Sequence, residues 1–343
     1  MSTTEILTNY KNEVKTIETE SQIKESKESF LSGLCGNLNV IVPLSVTQKD
    51  RKCHCFIIAD KEKALVYYSN LCNFLKKEKV YFFPYSFIAP YDDELINNAN
   101  VVMRTEVIQA LLEKNKEKIY IVTYPEGIFE KFPEERIQKE KRTIVNKKDK
   151  IQIGDFVEGL NNNGFNKVDF VVEPGEFAVR GNIIDVFSFS YKKPVRIELD
   201  GNDVERLRLF DPNTQLTEDD IKEAKIISNK SLEDKGGNYV SLFNFFNEDW
   251  VIWGDEISLS ANIIDEKNKQ AIELYEEIKN KSKVVLSLPP KKRFLDKKLF
   301  LEELNRFKRV EFGRENKKNN STKIKYNSSP QPKFNKNLSL LVD

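Results

Sequence analysis

Histidine is almost missing from this chain: His54 is the only one in 343 residues. A Ser/His/Asp or Cys/His triad would have to be built on it, and no G-x-S-x-G elbow is present, so nucleophilic hydrolysis is not expected. Cysteine is scarce as well. Cys35, Cys53, Cys55 and Cys72 all fall in the first quarter, three of them within apolar runs, which argues against a disulfide framework. Cys53 and Cys55 flank His54, but strand alternation sets the imidazole on the opposite face from both thiols. No second ligand pair follows at zinc spacing, so a buried strand accounts for the three better than a metal site. No apolar run approaches the roughly 20 residues of a membrane span. The start, MSTTEILTNYKNEVKTIETE, lacks the basic segment, apolar core and cleavage site of a signal peptide. A cytoplasmic protein with no membrane contact is expected. Nor is there an excess of either charge: Lys+Arg 55 against Asp+Glu 54 leaves a formal +1. That balance argues against a protein that binds nucleic acid over its whole surface, so any basic site must be local.

What is present is enough apolar residue for two or three cored domains, 39% of the chain against 32% charged. From about Asn39 to Tyr124 short apolar runs alternate with helical ones: CHCFIIAD, KEKALVYYSNLCNFLKK, KVYFFPY, INNANVVMRTEVIQALLEKN and KIYIVTYPE. That βαβαβ order implies a parallel sheet. FPEERIQKEKRTIVNKKDK, Phe132 to Lys150, is a mixed charge run without apolar period, as at a domain boundary. Beyond it a short helix, GDFVEGLNNNG, precedes strand-like KVDFVV, GEFAVRG, NIIDVFSF, PVRIEL and VERLRLF, joined by Gly, Pro and Asn turns. These predict an antiparallel sheet covered by one helix. SLFNFFN, DWVIWGDE, a helix from about Leu259 to Lys281, and FLDKKLFLEELNRF then return to α/β character, with Trp250 and Trp253 read as its core. The fold class expected is α/β: a parallel-sheet domain made by residues 1–140 and 228–343, with a small antiparallel α+β domain, 141–227, inserted.

Within the inserted domain the arginines follow a pattern. In PVRIEL, Val195, Ile197 and Leu199 share one strand face and Arg196 and Glu198 the other. In VERLRLF, burial of Leu207 and Leu209 leaves Arg206 and Arg208 outside, and Arg180 stands at the glycine turn feeding the neighbouring hairpin. Several guanidinium forks thus converge on one solvated face, suited to bidentate contact with carboxylate or phosphate. Surface pairing with Glu198, Asp203 and Glu205 is the bland alternative.

The run GEFAVRGNIIDVFSFS, then PVRIEL, then VERLRLFDPNTQ, Gly175 to Gln215, resembles the module shared by bacterial transcription-repair coupling factors and the damage-verifying excision subunit UvrB. A weaker likeness takes in FFPYSFIAPY, NANVVMRTEVIQALL, VTYPEGIFEKFP and SSPQPKFNKN. The resemblance implies a degenerate helicase-like (RecA-like) domain whose inserted sheet docks onto UvrA through the positions of Arg180 and Arg196, flanked here by Arg206 and Arg208. Where that family carries an aromatic pair, this chain has Leu199 and Asp200. Truncating Arg180 and Arg196 is expected to remove UvrA binding and leave thermal stability nearly unchanged.

An ATP site needs a Gly-rich turn, a lysine and a hydroxyl, as G-x-x-x-x-G-K-[ST]. SGLCGNLNV, Ser32 to Val40, keeps only Gly33 and Gly36, a degenerate phosphate loop. Asp255 and Glu256 end an apolar strand where an active motor would hold magnesium, but without the lysine they read as a strand end capping a helix at Ser258. SFIAPYDDEL is too short for the DNA-wedging hairpin of UvrB. Both absences favour the coupling factor over a UvrB-type verification subunit. The resemblance then implies that the whole protein is an ATP-dependent DNA translocase, with ATP and magnesium in a C-terminal motor. RNA polymerase and duplex DNA would be bound elsewhere in it, and this part would need no catalysis or cofactor of its own. Lys291 to Lys325 holds thirteen Lys/Arg against five Asp/Glu, a local basic stretch for which only weak DNA contact is expected. RENKKNNSTK, Arg314 to Lys323, reads as a solvated loop, and the apolar LSLLVD ending reads as cut.

Overall fold

A computed structural model describes residues 3–48, 50, 52–75, 79–87, 90–91, 96–112, 117–134, 142–228, 238–281, 288–313 and 322–329. The FIAPYDDE loop, the charge run 135–141, the segment 314–321 and the LSLLVD ending lie outside or largely outside these residues.

Among the described residues the strands form two large sheets and two two-stranded ones. The first uses β1 (Glu28–Ser32), β2 (His54–Ile58), β3 (Lys79–Phe83) and β4 (Ile119–Thr123), before the small strand β5 (Phe132–Pro133). The second region holds β6 (Thr143–Asn146), β7 (Asn166–Lys167), β8 (Glu176–Arg180), β9 (Ile183–Val186), β10 (Val195–Asp200), β11 (Asp203–Phe210), β12 (Thr217–Asp220) and β13 (Glu223–Ile226). The chain then returns through β14 (Tyr239–Val240), β15 (Val251–Asp255), β16 (Lys308–Phe312) and β17 (Thr322–Lys325). The large sheet has seven parallel strands in the order β17-β1-β16-β15-β2-β4-β3, so its middle is closed only by strands that follow the second region. HCFII and IYIVT are buried at every position, as strands covered on both faces must be. Helices α1 (Thr3–Lys11), α2 (Val14–Glu25), α3 (Leu38–Thr47), α4 (Lys61–Phe74), α5 (Asn98–Leu112) and α6 (Pro125–Phe129) belong to this layer. Neither α1, α2, β1 nor β17 is foreshadowed by a long apolar period; each is short and gains its stability from packing against the sheet.

Arg104 joins three of the four stretches of weaker likeness; the fourth, SSPQPKFNKN, lies largely outside the described residues. Its buried guanidinium donates to the carbonyls of Pro84 at 2.6 Å, Gly127 at 2.7 Å and Glu130 at 3.1 Å, and pairs with the Glu130 carboxylate at 3.3 Å. The Phe83 and Phe132 rings sandwich it at 4.3 and 4.4 Å. FFPY, PEG and NANVVMR therefore meet around one cation.

In the second region the order is β12-β11-β10-β9-β8-β7. Val195, Ile197, Leu207, Phe177, Ile184 and Val186 form its core beneath α7 (Ile153–Asn162), which contributes Leu160. Two details differ from expectation. Of KVDFVV only Lys167 is in a strand, Asn166–Lys167, which pairs parallel with β8, and the rest of it is a loop. Strict alternation would also set Val204 with Arg206 and Arg208. A register shift between Glu198 and Leu199 leaves Glu205 unpaired, so Val204 and Leu207 both reach the core while the arginines stay on the other face. Phe189 packs on Val101 and Val102 of α5, and Lys192 pairs with Glu106 at 3.1 Å, so this region rests on the parallel-sheet layer. Between β15 and β16 the chain forms α8 (Ile257–Lys281), α9 (Pro290–Arg293) and α10 (Lys297–Leu304).

Candidate partner-binding face

Strand register sets the arginines in two rows. Ala178, Asp185, Arg196, Arg208 and Asp220 are successive cross-strand partners from β8 to β12. One step along, Arg180, Ile183, Glu198 and Arg206 form the next row. All four arginines named from the sequence thus share one face of one sheet. Asp200 continues the Arg196–Glu198 side at the exposed hairpin tip, where Gly201 takes φ +59°, and Leu199 turns into the core.

The face is less open than alternation implied. Asp185 has no solvent exposure, and the Arg196 side chain retains only 14%. Arg196 donates from Nε to Asp185 Oδ1 at 2.7 Å and from Nη2 to Oδ2 at 2.9 Å, and its plane lies 4.5 Å from the centroid of Phe210. Hydrogen bonding to Asp185 raises the Arg196 pKa further above its ordinary value. Arg180 pairs with the same carboxylate and lies over the Phe170 ring at 5.3 Å. Arg208 pairs with Glu198 and donates to Thr217 Oγ1 at 3.2 Å, while Arg206 is exposed. Three of the four expected free forks, Arg180, Arg196 and Arg208, are therefore pre-paired, and the principal carboxylate is Asp185, not Asp203 or Glu205. Two arginines on one buried carboxylate keep a net positive charge while losing most of their rotamer freedom.

Asp185 was legible in principle: in NIIDVF it alternates with Ile184 and Val186 and so must face the arginines. Phe170 and Leu216, exposed beside this face, carry no signal in the sequence.

The other candidates lie apart. Gly33 and Gly36 take φ +75° and +56° between β1 and α3, so the strand–turn–helix path of a phosphate loop persists. A chain segment sits against it: Cys35 N donates to Ser328 Oγ at 3.1 Å, and a Cβ on Gly33 would lie 2.0 Å from the Tyr326 carbonyl oxygen. A cavity of about 560 Å³ beside the loop is lined by Asn37, Asn39, Asp60, Lys63, Tyr67 and Asp255. Asp255 does not cap α8; it accepts from Ala59 N at 2.6 Å, and burial raises its pKa. His54 is fixed in the core, its Nδ1 accepting from Trp253 Nε1 at 3.2 Å and its Nε2 3.1 Å from Asp50 Oδ1. The basic stretch after Lys291 is spread over α9, α10, β16 and β17, with Arg309 paired to Glu28, Arg306 to Glu303 and Lys308 donating to the Ile23 carbonyl.

Residues 144–232 match the family model described as the UvrB interaction domain. The chain is 28% identical to a transcription-repair-coupling factor of Rickettsia bellii over 161 residues, 47% of this chain and 14% of that protein. It is 25% identical to that of Bacillus subtilis over 189 residues, 55% of this chain and 16% of that protein, and 44% identical to that of Myxococcus xanthus over 64 residues, 19% and 5%. The chain thus spans about a seventh of the length of the first of these relatives. The resemblance to transcription-repair coupling factors read from the motifs is borne out. Among the described residues no helix is long and apolar enough to cross a membrane.

Proposed function

We propose that this chain recruits UvrA, as the N-terminal, UvrB-like module of a coupling factor that acts on RNA polymerase stalled at DNA damage. The reading is carried by one observation: the matched domain presents Arg180, Arg196, Arg206 and Arg208 on a single face, ordered by Asp185 and Glu198. Such a face recognises acidic side chains by charge-assisted hydrogen bonds, each good contact contributing about 1.5–3 kcal/mol. Little ordering entropy is lost on binding, because β8 to β11 and the buried carboxylate already hold the forks. ATP-driven translocation and contacts with RNA polymerase and duplex DNA belong, in this reading, to other parts of the longer protein. Catalysis is not a role of this part, and its own contact with DNA is at most weak.

Pull-down of cognate UvrA by the wild-type chain and by Arg180→Ala with Arg206→Ala tests the reading. Capture by the wild type and its loss in the variant are expected; equal capture by both would remove the arginines from the contact.

A further inference from the structure

Of the exposed large apolar side chains, Phe170, Val172 and Leu216, at 60%, 49% and 68%, flank the arginine face. Their exposure is imposed by the backbone. The loop after β7 drops Val171, wholly buried, into a small cluster with Ala178, Phe187 and Phe210. Its neighbours Phe170 and Val172 consequently project outward. The loop is also held: the Glu176 carboxylate accepts from the amides of Val172 and Glu173, each at 2.8 Å.

Gln215 couples this loop to Leu216. Its Nε2 donates to the Val171 carbonyl at 3.0 Å, and its own carbonyl accepts from Arg196 Nη1 at 3.3 Å. Gln215 takes φ +60°, a left-handed conformation unfavourable for a residue with a Cβ, and the turn closes through Gln215 N on the Asp211 carbonyl at 2.8 Å. An arginine of the face thus helps to hold a strained residue whose successor is an exposed leucine. Phe170 in turn lies under Arg180.

We infer that the recognition surface is composite, with Phe170, Val172 and Leu216 forming an apolar ridge that anchors the partner through an apolar pocket rimmed by carboxylates. This rests on the reading of UvrA as the partner of the arginine face. Continuity with the exposed Arg180 and Arg206 of that face selects an acidic-rimmed protein surface, because rigid aromatic and arginine neighbours are the composition of binding hot spots.

Isothermal titration of cognate UvrA with Val172→Ser and Leu216→Ser combined, and separately with Phe170→Ser, tests this. The first variant touches no arginine. Binding at least about tenfold weaker is expected, with the melting temperature and the salt dependence of the remaining affinity unchanged. Arg180→Ala should instead make the salt dependence shallower. Wild-type binding that both apolar variants match would overturn the inference and leave the recruitment reading standing. A wild-type chain that fails to bind UvrA would overturn both. Self-association of the wild type that the variants lose would assign the ridge to a second copy and equally overturn it.

Discussion

Asp185 grips Arg196 at two points, accepting from Nε at 2.7 Å and from Nη2 at 2.9 Å, with no exposure of its own to water. The carboxylate that orders the recognition face is thereby also part of what holds β9 to β10. Removing Asp185 takes the counter-charge from two arginines, and removing Arg196 leaves the buried carboxylate to Arg180 alone, so function and stability are not separable at this pair.

The arginines therefore divide by cost. Arg196→Ala or Asp185→Ala should destabilise the inserted sheet by about 3 kcal/mol, as loss of one member of a buried pair does. Arg180→Ala, at an exposed position with Arg196 still in place, should cost less than about 1 kcal/mol. Hydrogen exchange across β9 and β10 reads the difference. The expectation that truncating Arg180 and Arg196 together spares stability is corrected by the burial of Asp185.

His54 makes the parallel sheet sensitive to acid. Trp253 Nε1 can only donate, so Nδ1 must accept, and the neutral ring carries its proton on Nε2 toward Asp50. Burial pulls the His54 pKa below its ordinary 6.5, opposed by Asp50. For Asp50, burial acts upward and is outweighed by hydrogen bonds from His54 and the Lys52 amide and by the Lys118 charge. Above 6.5 the ring is neutral in folded and unfolded chains alike and contributes no pH dependence. Below it the unfolded chain binds a proton that the fold refuses, so stability falls as pH falls. Melting followed by tryptophan fluorescence should drop as pH falls below about 6.5, and His54→Gln should flatten that drop.

The two loop glycines should separate sharply. Gly36→Ala meets open space at φ +56° and should cost about 1–2 kcal/mol for its left-handed backbone alone. Gly33→Ala adds a collision with the Tyr326 carbonyl and should cost at least about 3 kcal/mol. Denaturant unfolding of the two variants measures the gap.

Calorimetry with ATP and magnesium should give no saturable binding. SGLCGNLNV offers the triphosphate no lysine and, past Gly36, the metal no hydroxyl, and the cavity beside it carries Asp60 and Asp255 as well as Lys63. Clear saturable binding would return this part to the class of motors.

Much of this was legible from residue pattern. The βαβαβ order of HCFII, KVYFF and IYIVT and the shared side of Arg196 and Glu198 follow from strand periodicity. Pattern failed where tertiary geometry decides. The unpaired Glu205 is a bulge, which no period of two contains, and β17 is a four-residue strand whose register comes from β1. KVDFVV alternates like a strand but is spent as a loop whose alternation serves a different surface, and that loop supplies the apolar anchor absent at Leu199 and Asp200. Whether an arginine is free or paired depends on a third strand, β9, which its own strand does not reveal.

Capture of UvrA by the ordered guanidinium face is read from the affinity of cognate UvrA for the chain carrying Arg180→Glu and Arg206→Glu, both exposed positions, beside the wild type. Saturable wild-type binding, at least about a hundredfold loss on charge reversal, and a melting temperature within about 3 °C of the wild type are expected. Undiminished binding by the reversed variant would contradict it.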